Sequence, residues 1–136
     1  MQTTKNIWIN GCFDVLHRGH IELFKYAKEL GGFVIVGIDS DTRVKQLKGD
    51  SRPINTHDDR KFFLESIKYI DKVTIFGSDD ELRSVISLHR PDIMIVGSDY
   101  KDKNVIGSEY AKQLIFFDRV GNYSTTNILE RKWHMS

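Results

Sequence analysis

Five short apolar runs recur along this chain, at residues 5–10, 33–38, 72–76, 92–97 and 114–117, and helix-patterned segments separate them. The runs are nearly continuous in apolar character, which marks strands covered on both faces. Such strands belong to a parallel sheet, and the crossovers between parallel neighbours are right-handed. The expected fold is α/β: a Rossmann-like, doubly wound, five-stranded parallel sheet with helices on both faces. A length of 136 residues points to one domain, residues 1–136.

The segments between the runs carry their own punctuation. Ile21, Phe24, Ala27 and Leu30 recur at helical spacing, and Gly31-Gly32 stops that helix. Asp39-Ser40-Asp41 reads as a loop and helix entry. Residues 45–55 are polar and basic, broken by Gly49 and Pro53, and read as a mobile loop. Thr56, with Asp59 at the third helical position, is expected to cap a helix running through Phe62, Phe63 and Ile67 to Ile70. Ser78-Asp79-Asp80-Glu81 reads as a capping box before Leu82, Val85, Ile86 and His89, with Pro91 ending that helix. Residues 110–113 are expected to end a short helix, 118–123 to form a loop, and Ser124 to cap a last helix.

The totals narrow the function classes. With 40% hydrophobic residues the chain can build a real core, while 29% charged residues and no apolar run of membrane length argue against insertion. The N-terminal residues lack the apolar core of a signal peptide. A net charge of +1 lacks the basic surplus of a nucleic-acid binder. The single cysteine, Cys12, excludes an internal disulfide and suits a reducing compartment, so the expected location is cytoplasmic. No nucleic acid and no membrane are expected as partners.

Chemistry concentrates just after the first run, in Gly11-Cys12-Phe13-Asp14-Val15-Leu16-His17-Arg18-Gly19-His20. That stretch spans a strand-to-helix junction, where open α/β sheets bind ligands. A helix N-terminus there offers unpaired N–H groups and a positive dipole end, which suit phosphate. His17 and His20, three apart, can share one face of a helical turn and stabilise charge on phosphorus during transfer. Gly19 between them lets a ligand approach the backbone. The dinucleotide fingerprint is missing after Gly11, so dinucleotide binding by that device is not expected. Zinc binding by the two histidines lacks further ligands at an ordinary spacing. Cys12 reads either as a nucleophile or as a small buried hydrophobe.

The stretch resembles the H-x-G-H signature of the cytidylyltransferase-like nucleotidyltransferases. Members join a nucleoside triphosphate to a phosphate-bearing acceptor and release pyrophosphate. Arg119-Val120-Gly121-Asn122-Tyr123-Ser124-Thr125-Thr126-Asn127-Ile128 resembles the family's R-x-x-x-x-S-T-T-x-I element. Within the family the chain looks most like the adenylyltransferase domain of ADP-heptose synthases. The words that carry this are Leu47-Lys48-Gly49-Asp50-Ser51-Arg52-Pro53 and Gly97-Ser98-Asp99-Tyr100-Lys101. The heptose enzymes tend to carry two glycines where Gly97-Ser98 precedes Asp99, and Asn122-Tyr123 also departs from their pattern.

The resemblance implies AMP transfer from ATP to a sugar phosphate such as heptose-1-phosphate. The alternative is a CTP-dependent glycerol-3-phosphate cytidylyltransferase; a non-catalytic nucleotide-binding module is the alternative of another class. His17 and His20 would hold the α-phosphate, and Lys45 and Lys48 would neutralise developing charge. Arg119, Ser124 and Thr125 would hold the leaving pyrophosphate, as a guanidinium fork and a helix start suit it. Gly11, Phe13, Asp14, Gly19, Arg60 and Asp99 would line the nucleotide. Mg²⁺ would ride on the phosphates, with no direct side-chain ligand and with Asp14 acting through water. Asp14 reads equally well as a turn-fixing residue, Arg60 as a surface arginine paired with a carboxylate, and the two lysines as solvated charges. The resemblance also implies a homodimer and a separate sugar kinase.

Overall fold

The computed structural model describes residues 4–118. Five strands form one parallel sheet: β1 (Lys5–Gly11), β2 (Gly32–Asp39), β3 (Lys72–Phe76), β4 (Ile93–Gly97) and β5 (Gln113–Phe117). The sheet order is β3-β2-β1-β4-β5. Helices α1 (Arg18–Glu29), α2 (Asp41–Lys48), α3 (His57–Glu65) and α4 (Asp79–His89) connect them, with 3₁₀ turns at Ser98–Tyr100 and Ser108–Tyr110. The order reverses between β1 and β4, so the ligand-binding crevice of a doubly wound sheet lies beyond Gly11 and Gly97. This is the expected Rossmann-like architecture.

Alternate residues of each strand feed two cores. Ile7 and Ile9 of β1, Val34, Val36 and Ile38 of β2, and Ile93 and Ile95 of β4 pack with Phe24 and Ala27 of α1 and Leu64 of α3. Trp8, Ile35 and Met94 point the other way, toward Phe76 and toward Leu82 and Ile86 of α4. Each large side chain so buried is worth about 1.5–3 kcal/mol. Both faces are covered, which is why the strands read as unbroken apolar runs.

Three expectations need correction. Residues 45–55 are not one loop: Lys45 and Lys48 form the last turn of α2. Ser40 Oγ accepts the Arg43 N–H at the helix start, and Gly49, at φ 97°, donates its N–H to Lys45 O at the end. The two lysines sit where the helix dipole favours positive charge. Only Val44 of this helix is buried, so eight mainly polar residues showed no apolar stripe. Second, α3 stops at Glu65 rather than Ile70. Beyond it the chain tightens into three-residue turns, with Ile67 N donating to Leu64 O and Ile70 N to Ile67 O. Third, the Ser78 box is half-formed: Ser78 Oγ accepts the Glu81 N–H, but the Glu81 carboxylate reaches the N–H of Gly77. The loop at 118–123 and the last helix lie outside the described residues.

The close pairing of β1 with β2 leaves no room at Gly37. A Cβ there would stand 2.5 Å from Cζ2 of Trp8 and 2.7 Å from its Cη2. Gly37→Ala is therefore expected to lose about 1–3 kcal/mol of stability through overpacking. Denaturant unfolding of both proteins measures this.

Candidate active site

The segment between β1 and α1 turns sharply at Phe13, whose φ of 49° is left-handed. A phenylalanine in that region is strained and persists only when its surroundings over-determine it. Here they do. The Phe13 ring meets His20 edge-on at 5.1 Å and Phe24 at 5.2 Å. A Cβ on Gly11 would come within 3.1 Å of the same ring.

His17 and His20 build the start of α1 themselves. His17 is the N-cap, and its Nδ1 accepts the N–H of Gly19 at 3.1 Å. His20 is the third helical residue, and its Nδ1 accepts the N–H of His17 at 3.2 Å. This is a capping box made of two imidazoles instead of Ser and Glu. The rings stack with centroids 3.7 Å apart. A ring nitrogen that accepts a backbone N–H carries no proton, so the neutral tautomer of each ring holds its hydrogen on Nε2. Burial pushes the His20 pKa down from 6.5 to about 3, helped by the nearby His17 and Lys48. His20 is therefore a neutral Nε2–H donor at pH 7. Gly19 serves the site through its N–H, as the group that His17 caps.

Asp14 acts as a strut between two loops. Its side chain has no exposed surface. Its carboxylate accepts Arg52 Nε at 2.7 Å, Ile54 N at 2.8 Å and Asn55 N at 2.8 Å. Burial alone raises its pKa, but the donors from Asn55, Ile54 and Arg52 outweigh burial and hold it below the usual 3.8. Asn55 Nδ2 also donates to Asp14 O at 2.7 Å, so the two loops are doubly tied. Of the two readings of Asp14, the structural one fits this geometry.

Arg60 is paired with a carboxylate, Asp41, but not at the surface. It is fully buried, not a surface arginine, and its nitrogens are spent on the protein. Nε donates to Asn55 O at 3.1 Å, Nη1 to Cys12 O at 2.9 Å and Asp39 O at 2.7 Å, and Nη2 to Asp41 Oδ1 at 2.9 Å. A positive charge in the first turn of α3 is unfavourable for the dipole, but these acceptors compensate. Arg60 positions the strand ends.

Two adjoining cavities open at the C-terminal edge of the sheet. One, of about 310 Å³, is lined by Asp14, His20, Lys48, Arg52 and Tyr100 among others. The other, of about 300 Å³, is lined by Asp39, Arg43, Phe76, Leu82, Asn104 and Ile106 among others. Cys12, Lys48, Gly97 and Tyr100 belong to both walls. Lys48 is thus at the junction, while Lys45 is exposed and lines neither cavity. Burial pushes the Cys12 thiol up, against the pull of Lys48 and Arg60, so it is a poor nucleophile. Asp99 lies in the 3₁₀ turn that follows β4. Arg119, Ser124 and Thr125 lie outside the described residues. Sequence reasoning missed Arg52 as a lining residue, though it stands in the Lys48–Pro53 word that marked the resemblance. Among the described residues, no three His, Cys, Asp or Glu side chains come together as a metal site.

The sequence profile of the cytidylyltransferase-like family matches residues 8–131. The chain belongs to that family. Within it, the chain is 48% identical over 125 residues to the bifunctional protein HldE of a Nitratiruptor species, covering 92% of this chain. It is 45% identical over 127 residues to the bifunctional protein HldE of Helicobacter pylori (strain Shi470). The match spans only 27% of the length of each of these relatives. The same fold is seen in the lipopolysaccharide core biosynthesis protein from Thermoplasma volcanium GSS1, with a TM-score of 0.67 at 21% identity over 90% of this chain and all of that one. It recurs in a bifunctional NMN adenylyltransferase/ADP ribose pyrophosphatase from Francisella tularensis, complexed with AMP and Mn ion. There the TM-score is 0.68 at 18% identity, over 98% of this chain and 43% of that one.

For this family member, the depressed His20 pKa makes stability depend on pH. The unfolded histidine binds a proton below about 6.5 and the folded one only below about 3, so the unfolded state holds more protons between them. The contribution of His20 is complete above pH 6.5 and is lost as pH falls toward 3. His20→Gln keeps a side chain suited to closing the cap but cannot titrate. Its Tm is expected to fall less than that of the unmodified protein between pH 6.5 and pH 4. Equal slopes for the two proteins would remove His20 as the titrating group.

Proposed function

We propose that residues 1–136 act as one nucleotidyltransferase domain that moves AMP from ATP to a sugar phosphate such as heptose-1-phosphate, releasing pyrophosphate. The observation that carries this reading is the imidazole capping box. It fixes two imidazoles at the switch point of the sheet, and His20 shares a cavity wall with Lys48. The sequence likeness to HldE proteins favours the sugar phosphate as acceptor. The pair of cavities with a shared wall suits a reaction in which two substrates meet.

In this mechanism the phosphate chain of ATP lies in the histidine-lined cavity and the acceptor in its neighbour. An acceptor phosphate monoester has its second pKa near 6, so it is largely dianionic at pH 7 and needs no strong base. One of its oxygens forms a bond to the α-phosphorus. The bond from that phosphorus to the β-phosphate oxygen breaks, and its electron pair leaves with pyrophosphate. The protein's work is alignment and charge stabilisation. His17 and His20 donate to α-phosphate oxygens, and Lys48 offsets charge where the substrates meet. Arg119, Ser124 and Thr125 take the role of holding pyrophosphate. Mg²⁺, when bound, would ride on the substrate phosphates with no direct side-chain ligand from this chain and would offset phosphate charge there. The acceptor's phosphate must come from a kinase reaction, and we place the chain in the cytoplasm as a homodimer.

Pyrophosphate release, measured across ATP and CTP crossed with heptose-1-phosphate and glycerol-3-phosphate, tests the reading. The expected maximum is ATP with the heptose phosphate. A maximum with CTP and glycerol-3-phosphate would replace it with the cytidylyl reaction, and nucleotide binding without any turnover would leave a binding module. His17→Ala is expected to lower kcat by about 100-fold or more. It should also cost roughly 1 kcal/mol of stability, because a cap is lost. Lys48→Ala, at an exposed helix end, should lose turnover with little change in Tm.

A further inference from the structure

Arg52 and Arg60 are both largely buried arginines in contact with a carboxylate, but only Arg60 is complete. Every side-chain nitrogen of Arg60 donates to the protein. Arg52 donates through Nε to Asp14, and its buried Nη2 has no hydrogen-bond partner among the described residues. A buried charged donor without a partner costs free energy, and native structures hold few of them. Arg52 is one of the residues that line the histidine-lined cavity, with His20 and Lys48 in the same wall. The three are an imidazole, an ammonium and a guanidinium, and no carboxylate in that lining is left to answer them: Asp14 is already bound on both oxygens.

We propose that Arg52 is a phosphate-binding residue of this cavity, its unpartnered Nη2 donating to a phosphoryl oxygen, with Asp14 as the positioning residue that aims the guanidinium. The proposal rests on the nucleotidyl-transfer reading and extends it, because nothing in that mechanism uses Arg52. The Asp14 carboxylate is itself fixed by the N–H groups of Ile54 and Asn55. The guanidinium is therefore held before any ligand arrives, which lowers the ordering cost of binding. A lysine at this position could keep a charge on Asp14 but lacks the planar fork that lets Nε hold the carboxylate while a separate Nη2 is aimed at the phosphate. The ligand chemistry is a phosphate oxyanion, supplied either by the triphosphate or by the acceptor.

Arg52→Lys tests this in the full chain. Calorimetric titration with inorganic tripolyphosphate probes the donor chain. Titration with inorganic phosphate, on protein saturated with an ATP analogue whose α–β bridge is methylene, probes the acceptor position. The expected result is a rise in Kd of roughly 10- to 100-fold in one of the two titrations, with Tm near that of the unmodified protein. The titration that changes identifies the source of the phosphate. Unchanged Kd in both, with or without a fall in Tm, overturns the proposal and leaves Arg52 as a counter-ion for Asp14. If Arg52→Lys fails to fold, nitrogen NMR of the arginine side chains in the unmodified chain decides. An Arg52 Nη signal that shifts on adding tripolyphosphate or phosphate supports the contact, and one that moves with neither overturns it. These readouts need no turnover. A chain that binds both probes through Arg52 but transfers nothing would sink the nucleotidyl-transfer reading alone.

Discussion

The guanidinium of Arg60 sits fully buried where the C-terminal ends of two strands and the starts of two helices converge. It donates to the carbonyl of Cys12 just past β1, to that of Asp39 ending β2, to that of Asn55 before α3 and to the Asp41 carboxylate opening α2. Asp41 completes the tie by accepting the N–H of His57 and by donating its own N–H to His57 Nδ1. Withdrawing a charge this far from water is costly unless each of its hydrogens finds an acceptor. The acceptors come from segments far apart in sequence. The cost is met only when β1, β2, α2 and α3 are all in place, so the edge of the sheet that carries the cavities behaves as one cooperative unit.

Asp14 repeats the device one layer out. Its carboxylate gathers Arg52, Ile54 and Asn55 and so lashes the segment between α2 and α3 to the turn that carries the histidines. The cavity lining is therefore held by two buried ions of opposite sign, both bonded to the segment 49–56. Lys48, at the end of α2, inherits its place at the junction of the cavities from this double anchorage. This turn supports Phe13 in a left-handed conformation and sets its ring edge-to-face with His20 and Phe24.

Much of this was legible in sequence, for physical reasons. β3 lies at 72–76 as read, because a strand buried on both faces leaves an apolar run of its own length. The paired histidines pointed to a strand-end helix start, and both stand there. What stayed hidden has two sources. α2 is short and buries only Val44, so hydrophobic periodicity had nothing to register. The roles of Arg60 and Asp14 depend on partners up to 48 residues away, and local spacing carries no sign of them. A charged residue reads as surface until the fold brings its acceptors. Arg52 was hidden for the same reason, within a word whose lysine drew the attention.

The imidazole capping box joins two obligations that most enzymes keep apart. Groups arranged for chemistry usually strain their fold, and replacing them tends to stabilise it at the expense of turnover. Here Nδ1 of each ring holds up the first turn of α1, and in the proposed mechanism Nε2 is the atom that would meet a phosphate. On that proposal the same two side chains would be structural on one edge and reactive on the other. Stability and reactivity then pull in the same direction at positions 17 and 20, and a sequence drifting under selection for folding alone would find few replacements that serve even the cap. The motif is thereby insured against mutation by the helix it begins.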